Sequence, residues 1–154
     1  MELHQLWMRL SRRCGISFLP IRSSYATAQY LKEHSKGGEA YVIGEQGIYD
    51  ELNEVGIKCH GKEDADTNNL SSLSKLNPSV TSVVVGLDRN VNYLKLSRAA
   101  AYIRDQNCSF IATNTDPSDP TDDGLVVGAA GRNPIFFLSR LYGECSKCYL
   151  RQRA

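Results

Sequence analysis

Hydrophobic and polar positions alternate along the chain in blocks that predict strands and helices in turn. Strands are predicted at 40–44, 80–86 and 109–113. Helices are predicted at 23–33, 46–55 and 92–105, because their apolar residues recur three and four positions apart. In the last helix, Leu94, Ala101 and Tyr102 are expected to face inward. Strands that alternate with helices indicate an α/β fold with a mainly parallel sheet and flanking helices.

Shorter segments complete this pattern. Further short strands are predicted at 57–59, 125–127 and 134–138. The polar stretch 60–79 is expected to be a solvated connection, and 114–124 a proline-stiffened acidic loop. The run at 80–86 is apolar enough to be covered on both faces, as a central strand of a parallel sheet would be.

Composition fits one globular domain. The chain has 154 residues, of which 42% are hydrophobic and 23% charged, and its net charge is +1. Bulk electrostatics therefore predict no nucleic-acid or membrane partner, and no apolar run approaches the ~20 residues of a membrane-spanning helix. The charge is uneven, however: segments 1–22 and 139–154 each carry +3, whereas 23–138 carries −5.

Cysteine usage favours a reducing compartment, and we expect a cytoplasmic protein. The five cysteines are an odd number without a disulfide framework. Cys145 and Cys148 form a single C-x-x-C in a basic segment, and neither a second such pair nor paired histidines supply further zinc ligands. Chance occurrence is the favoured interpretation of this pair.

Two patterns are candidates for chemistry. Gly44 and Gly86 follow strands, where backbone amides can bind phosphate, but the dinucleotide and P-loop signatures are absent and ordinary turns are favoured. The segment after Thr113 carries Asn114 and Asp116 at the carboxyl end of a strand, with three further aspartates before residue 124. Carboxylates at such an edge could hold Mg²⁺, although spacing alone favours an acidic surface loop.

Several separated segments carry a family resemblance. They are SSYATAQYL at 23–31, AYVIG at 40–44, VVVGLD at 83–88 with YLKL at 93–96, and FIATNTD at 110–116. In this order they resemble the phosphoglycolate/4-nitrophenyl phosphatases of the haloacid-dehalogenase-like superfamily, over roughly 23–128. The resemblance implies a Rossmann-like core with an aspartate nucleophile, an acid/base aspartate and Mg²⁺. It also implies a large α/β cap that covers the active site and selects a small phosphorylated metabolite.

The matched stretch corresponds mostly to that cap, and the core motifs of the family are missing. Segment 1–22 contains no Asp, so it lacks the D-x-D-x-[TV] nucleophile signature, and the G-D-x-x-x-[ST]-D magnesium motif is also absent. No catalytic residue and no metal ligand can therefore be assigned, and Mg²⁺ is not expected to bind this chain alone. Asn114 and Asp116 are the candidate substrate-binding residues, while turn or helix-cap roles are favoured for Asp88 and a turn role for Asp116.

These patterns predict three parts: a divergent segment 1–22, a cap-like α/β domain 23–138 with an incomplete Rossmann-like core, and a basic unmatched tail 139–154. The leading hypothesis is a truncated phosphatase-family chain that supplies the substrate-selecting cap and is inactive alone. The alternative is a non-catalytic dimerisation or interaction module, which would pair with a second copy or a full-length relative.

Overall fold

A parallel β-sheet with helices on both faces forms most of the described structure. The structure is a computed structural model that describes residues 23–35, 37–67, 69–113, 118–121, 124–127 and 147–148. Its helices are α1 (Ser23–His34), α2 (Gln46–Glu54) and α3 (Tyr93–Gln106). Its strands are β1 (Glu39–Ile43), β2 (Cys59–His60), β3 (Val80–Val85), β4 (Ser109–Ala112), β5 (Ser118–Thr121), β6 (Gly124–Val127) and β7 (Lys147–Cys148).

The larger sheet has the strand order β2-β1-β3-β4-β7, and every neighbouring pair is parallel. The predicted α/β class with a mainly parallel sheet is therefore confirmed. The predicted helices and main strands are present, with bounds shifted by one or two residues at most. In the part of the chain that the structure describes, no helix has the length and apolar character needed to cross a membrane.

Helix ends follow from local sequence. The Asn92 side chain accepts a hydrogen bond from the backbone N–H of Lys95 and so caps the start of α3. Gly56, with a φ of 84°, follows α2 and adopts the left-handed conformation that glycine allows at low cost. Asn107 has a φ of 53° and ends α3 in the same way. These ends fix where each helix returns the chain to the sheet.

Alternate residues of the strands face the two helical layers. On one face, Tyr41, Val83 and Val85 belong to a core cluster with Ala99 and Tyr102 of α3. The opposite face joins residues of α1 and α2 to the sheet, and its main members are Ala28, Leu31, Ala40, Val42, Leu52, Val84 and Ile111. The prediction that β3 is covered on both faces is confirmed, as is the inward position of Leu94, Ala101 and Tyr102.

The polar stretch after β2 differs from the expectation. Two short 3-10 helices, Lys62–Asp64 and Leu70–Ser74, lie within 60–79, and Asp64 is only 2% exposed. A fully solvated connection is therefore wrong at this position. Asp64 tolerates burial because a tyrosine hydroxyl and an arginine meet its carboxylate.

The expected acidic loop also contains a strand. β5 pairs antiparallel with β6 in a separate two-stranded sheet, with Pro120 opposite Leu125. Proline is compatible with a strand that has a single neighbour in its sheet, which is why Pro120 does not exclude β5. The predicted strand at 125–127 is confirmed within β6, and the one at 134–138 lies outside the described residues. Lys147 and Cys148, from the segment predicted as an unmatched tail, pair in parallel with β4.

Candidate functional site

The carboxyl ends of β1, β3 and β4 meet at one edge of the sheet, where open α/β folds hold their ligands. The backbone is already hydrogen-bonded there. The amide of Gly86 donates to Ile43 at 2.8 Å, and the amide of Thr113 donates to Val85 at the same distance. Glu45, at the start of α2, donates its amide to Leu87. The amides that follow these strands are therefore engaged within the protein.

The glycines at this edge make room for a side chain of α2. A Cβ on Gly44 would lie 2.5 Å from Cδ1 of Ile48, and a Cβ on Gly86 would overlap the same methyl group. On Gly86 it would also lie 2.7 Å from the Thr113 hydroxyl. Both glycines therefore lie close to Ile48, whose terminal methyl group would have to move to admit a Cβ at either position.

Asp88 and Lys95 form a buried ion pair just beyond β3. Nζ of Lys95 lies 2.7 Å from Oδ2 of Asp88, and the two residues are each 3% exposed. The other carboxylate oxygen accepts a hydrogen bond from the amide of Asn90, which is the turn role expected for Asp88. Both oxygens are therefore occupied, and the carboxylate is directed into the protein.

Asp64 forms a second buried cluster with Tyr41 and Arg98. The Tyr41 hydroxyl donates to Oδ2 of Asp64 at 2.7 Å, and Nη1 of Arg98 lies 3.3 Å from Oδ1. Burial, followed by the hydrogen bond to Asp64, raises the pKa of Tyr41 far above its ordinary value. The phenol consequently remains a donor throughout the neutral range.

Asn92 links these two clusters. Its amide nitrogen donates to the backbone oxygens of Asp64 and Ala65, at 2.6 and 3.1 Å. Its side-chain oxygen caps α3, whose first turn carries Lys95. The connection after β2 and the connection after β3 are therefore held together by one side chain.

The described residues do not form a magnesium site. Within the described ranges, no three His, Cys, Asp or Glu side chains converge on one point. Asp64 and Asp88, the buried carboxylates of that part, already face an arginine and a lysine. A divalent cation beside either would meet a positive charge at close range, so no step of a reaction is assigned to a metal bound here.

The described thiols are poorly suited to nucleophilic catalysis. Burial raises the pKa of Cys59 to about 11, and it does the same to Cys108. Both therefore remain protonated near neutral pH, whereas the nucleophilic form of cysteine is the thiolate. Cys108 also contacts the Val80 carbonyl oxygen, at 3.2 Å, and has a structural role.

Asn114 and Asp116, the substrate-binding residues predicted from the sequence, lie outside the described residues. The structure does place their neighbour Thr113, which is 4% exposed at the end of β4. The sequence patterns did not predict the roles of Lys95, Asp64 and Tyr41. A signal for Lys95 exists, because it lies between two leucines at the start of a predicted helix, but its partner depends on the tertiary fold.

No family model matches the chain, but individual phosphatases do. The 4-nitrophenylphosphatase of Schizosaccharomyces pombe is 35% identical over 124 residues, which are 75% of this chain and 42% of that protein. Phosphoglycolate phosphatase 2 of Arabidopsis thaliana is 42% identical over 101 residues, covering 61% of this chain and 34% of that protein.

The fold agrees with these similarities. A mutant of the thermostable p-nitrophenylphosphatase of Bacillus stearothermophilus matches with a TM-score of 0.59 and 30% identity, over 78% of this chain and 40% of that one. The chain thus spans between a third and about two fifths of the two curated relatives. These similarities in sequence and structure confirm the resemblance of the four separated segments to the haloacid-dehalogenase-like phosphatases.

Proposed function

We propose that residues 23–138 act as the substrate-covering cap of a phosphomonoester hydrolase, and that this chain alone does not hydrolyse phosphoesters. The similarity to 4-nitrophenylphosphatase and phosphoglycolate phosphatase supports a small phosphorylated metabolite as the substrate class. In this proposal 1–22 and 139–154 lie outside the cap, and the protein works in the cytoplasm. Mg²⁺, which the family uses, would be held by residues of the catalytic core rather than by the cap.

The proposal rests mainly on one observation: the buried carboxylates are already paired with other groups of the protein. A nucleophilic aspartate must present an oxygen to the phosphorus atom of the substrate. Asp88 is closed off by Lys95 and by the amide of Asn90, and Asp64 by Tyr41 and Arg98. Both carboxylates are 3% exposed or less. They therefore stabilise the module and are unsuited to attack a substrate.

The sequence supports the same conclusion from another direction. The family places its nucleophile in a D-x-D-x-[TV] signature, and 1–22 contains no aspartate. We propose Asn114 and Asp116 as substrate-binding residues of the cap, because in the sequence they come just after Thr113, which follows the carboxyl end of β4. Their proposed role is to select the organic part of the phosphoester.

Hydrolysis of 4-nitrophenyl phosphate with Mg²⁺ tests the lack of activity. The purified chain, Asp88→Asn and the control Asp50→Asn are compared, since Asp50 is an exposed residue of α2. We expect all three to remain at the rate of buffer. Turnover that copurifies with the unchanged chain would refute the proposal. Its loss in Asp88→Asn but not in Asp50→Asn, with the fold of both variants verified by circular dichroism, would then point to Asp88 as the nucleophile.

A chimera tests the cap role itself. Residues 23–128 of this chain replace the matching segment of the Schizosaccharomyces pombe relative, and circular dichroism verifies that the chimera folds. We expect phosphatase activity with an altered substrate preference, and a further change in KM when Asn114→Ala and Asp116→Ala are introduced together. A folded chimera without activity would contradict the assignment.

A second candidate function, an interaction module, is favoured by the edge of the sheet. β2 pairs with β1 through Ala40–Cys59 and Tyr41–His60 only, and it has no second neighbour among the described strands. An unpaired strand edge can accept a strand from another molecule. Light scattering after gel filtration, with the chain alone and mixed with a full-length relative, distinguishes the candidates. A monomer in both samples excludes the interaction module.

A further inference from the structure

A groove at the amino ends of the strands is lined mainly by hydroxyl groups. Five of them belong to Ser35, Ser79, Thr81, Ser82 and Ser109, and we call this feature the hydroxyl groove. Its volume is about 500 Å³, within the range of small-molecule sites. It lies where β3 and β4 begin and α1 ends, so it is at the opposite end of the sheet from the carboxyl edge.

Ser82 gives the hydroxyl groove a buried polar group without a partner. The residue is 1% exposed, and its hydroxyl oxygen has no hydrogen-bond partner in the described structure. The neighbouring strand residues Val83 and Val84 are fully buried. An unsatisfied hydroxyl in such surroundings costs free energy, and buried polar groups in folded proteins nearly always have a partner. The groove is the direction from which a partner can reach Ser82.

Tyr30 and His34 form one side of the hydroxyl groove. Their rings stack with centroids 4.2 Å apart, and Nδ1 of His34 lies 2.8 Å from the Tyr30 backbone oxygen. A ring nitrogen that faces a carbonyl oxygen must carry the proton. Nδ1 of His34 therefore donates to this oxygen, and the hydrogen bond and the stacking hold the ring in one orientation against α1.

The charge of the hydroxyl groove disfavours ionic ligands. No Asp, Glu, Lys or Arg is among its lining residues in the described part of the chain. The carboxyl end of α1 lies at the groove, and the helix dipole makes that end partially negative. An anion such as phosphate would therefore meet the negative end of the helix, and no lysine or arginine among the described lining residues would attract it. Serine and threonine hydroxyls, by contrast, both donate and accept hydrogen bonds.

From this arrangement we propose that the hydroxyl groove binds a small, neutral, polyhydroxylated molecule of the sugar or polyol class, with one ligand hydroxyl bonded to Ser82. The remaining ligand hydroxyls meet the serine and threonine groups along the rim. Because the groove is at the far end of the sheet, this site is separate from the phosphoester site proposed above. The proposed sugar or polyol site therefore does not depend on the cap assignment.

A nuclear magnetic resonance titration of the full chain tests the proposal. D-glucose and glycerol are the probes, and inorganic phosphate is the comparison. We expect saturable amide shift changes confined to 30–38, 79–82 and 109 with either neutral probe, and weaker or no saturation with phosphate. Ser82→Ala should raise the Kd of the better neutral probe at least threefold, whereas the control Ser71→Ala, an exposed serine outside the groove, should not.

A thermal unfolding curve of Ser82→Ala verifies that the variant folds. We expect its midpoint temperature to equal or exceed that of the unchanged chain, because the substitution removes a hydroxyl without a hydrogen-bond partner. Three results would overturn the proposal. These are shifts that do not saturate with either neutral probe, a Kd unchanged by Ser82→Ala, and tighter binding of phosphate than of the neutral probes. An unchanged Kd would mean that the hydrogen-bond partner of the Ser82 hydroxyl is water and not the ligand.

Discussion

The ammonium group of Lys95 lies 2.7 Å from the carboxylate of Asp88, and both side chains are closed off from solvent. Asp88 follows β3 and Lys95 is in the first turn of α3, so the pair closes the connection between a central strand and the helix that covers it. The amide of Asn90 binds the same carboxylate and shapes the turn between them. The ion pair therefore fixes the path of the chain between β3 and α3.

Removing one partner of this pair should destabilise the fold strongly. Lys95→Met leaves the Asp88 carboxylate buried without a cation, and we expect a loss of about 3–5 kcal/mol in the free energy of unfolding. The double variant Lys95→Met with Asp88→Asn should recover much of that loss, because no uncompensated charge remains. Urea unfolding followed by circular dichroism measures all three chains.

The exposed pair of Arg104 and Asp105 provides the control. These side chains are 60% and 46% exposed, and Arg104→Ala should cost at most about 1 kcal/mol, since solvent screens such pairs. If Lys95→Met cost no more than Arg104→Ala, the buried pair would have no special role in stability.

The sheet and its helices could be predicted because they depend on local patterns. β3 is an unbroken apolar run, and α2 repeats Ile48 and Leu52 at helical spacing. The buried polar clusters could not be predicted, because their partners are brought together only by the fold. Tyr41 and Asp64 are 23 residues apart, and Asp64 lies in a stretch whose composition is that of a surface loop. The sequence predicted that the candidate site lies at the carboxyl edge of the sheet, but it did not predict the buried ion pairs found there.

Tyr41→Phe tests the second buried cluster. The change removes the hydroxyl that donates to Asp64 and leaves one carboxylate oxygen without that donor. We expect a loss of about 1–3 kcal/mol in the free energy of unfolding, the usual cost of a buried group deprived of its partner. Tyr93→Phe is the matched control, because Tyr93 is 69% exposed, and it should change stability by less than about 0.5 kcal/mol. Equal losses in the two variants would contradict a stabilising role for the Tyr41 hydroxyl.

The lowered pKa of Glu39 predicts that part of the free energy of unfolding depends on pH. The hydrogen bond from His60, opposed by partial burial and helped by Asn77, lowers the pKa of Glu39 below its ordinary value of 4.5. A carboxyl with a lowered pKa stabilises the folded state above its unfolded pKa, and this stabilisation is lost as pH falls through the folded pKa. The effect should therefore appear below about pH 4.5.

His60→Ala should remove most of this component. We expect the pKa of Glu39, measured from its side-chain carboxyl carbon by nuclear magnetic resonance, to move up towards 4.5. The difference in stability between pH 7 and pH 3 should shrink correspondingly. His34→Ala serves as control because His34 contacts Tyr30 rather than Glu39. A Glu39 pKa that is the same in His60→Ala as in the unchanged chain would show that His60 is not the cause.

Two glycines should respond in opposite ways to the same substitution. A Cβ on Gly38 would overlap the side chain of Thr81, whereas a Cβ on Gly47, in the first turn of α2, would meet nothing within 4 Å. Gly38→Ala should therefore cost about 1–3 kcal/mol through overpacking. Gly47→Ala should stabilise by about 0.5–1 kcal/mol, because alanine loses less backbone entropy in a helix. Urea unfolding of both variants measures the difference, and a Gly38→Ala protein as stable as Gly47→Ala would show that β1 and β3 approach less closely than the structure has them.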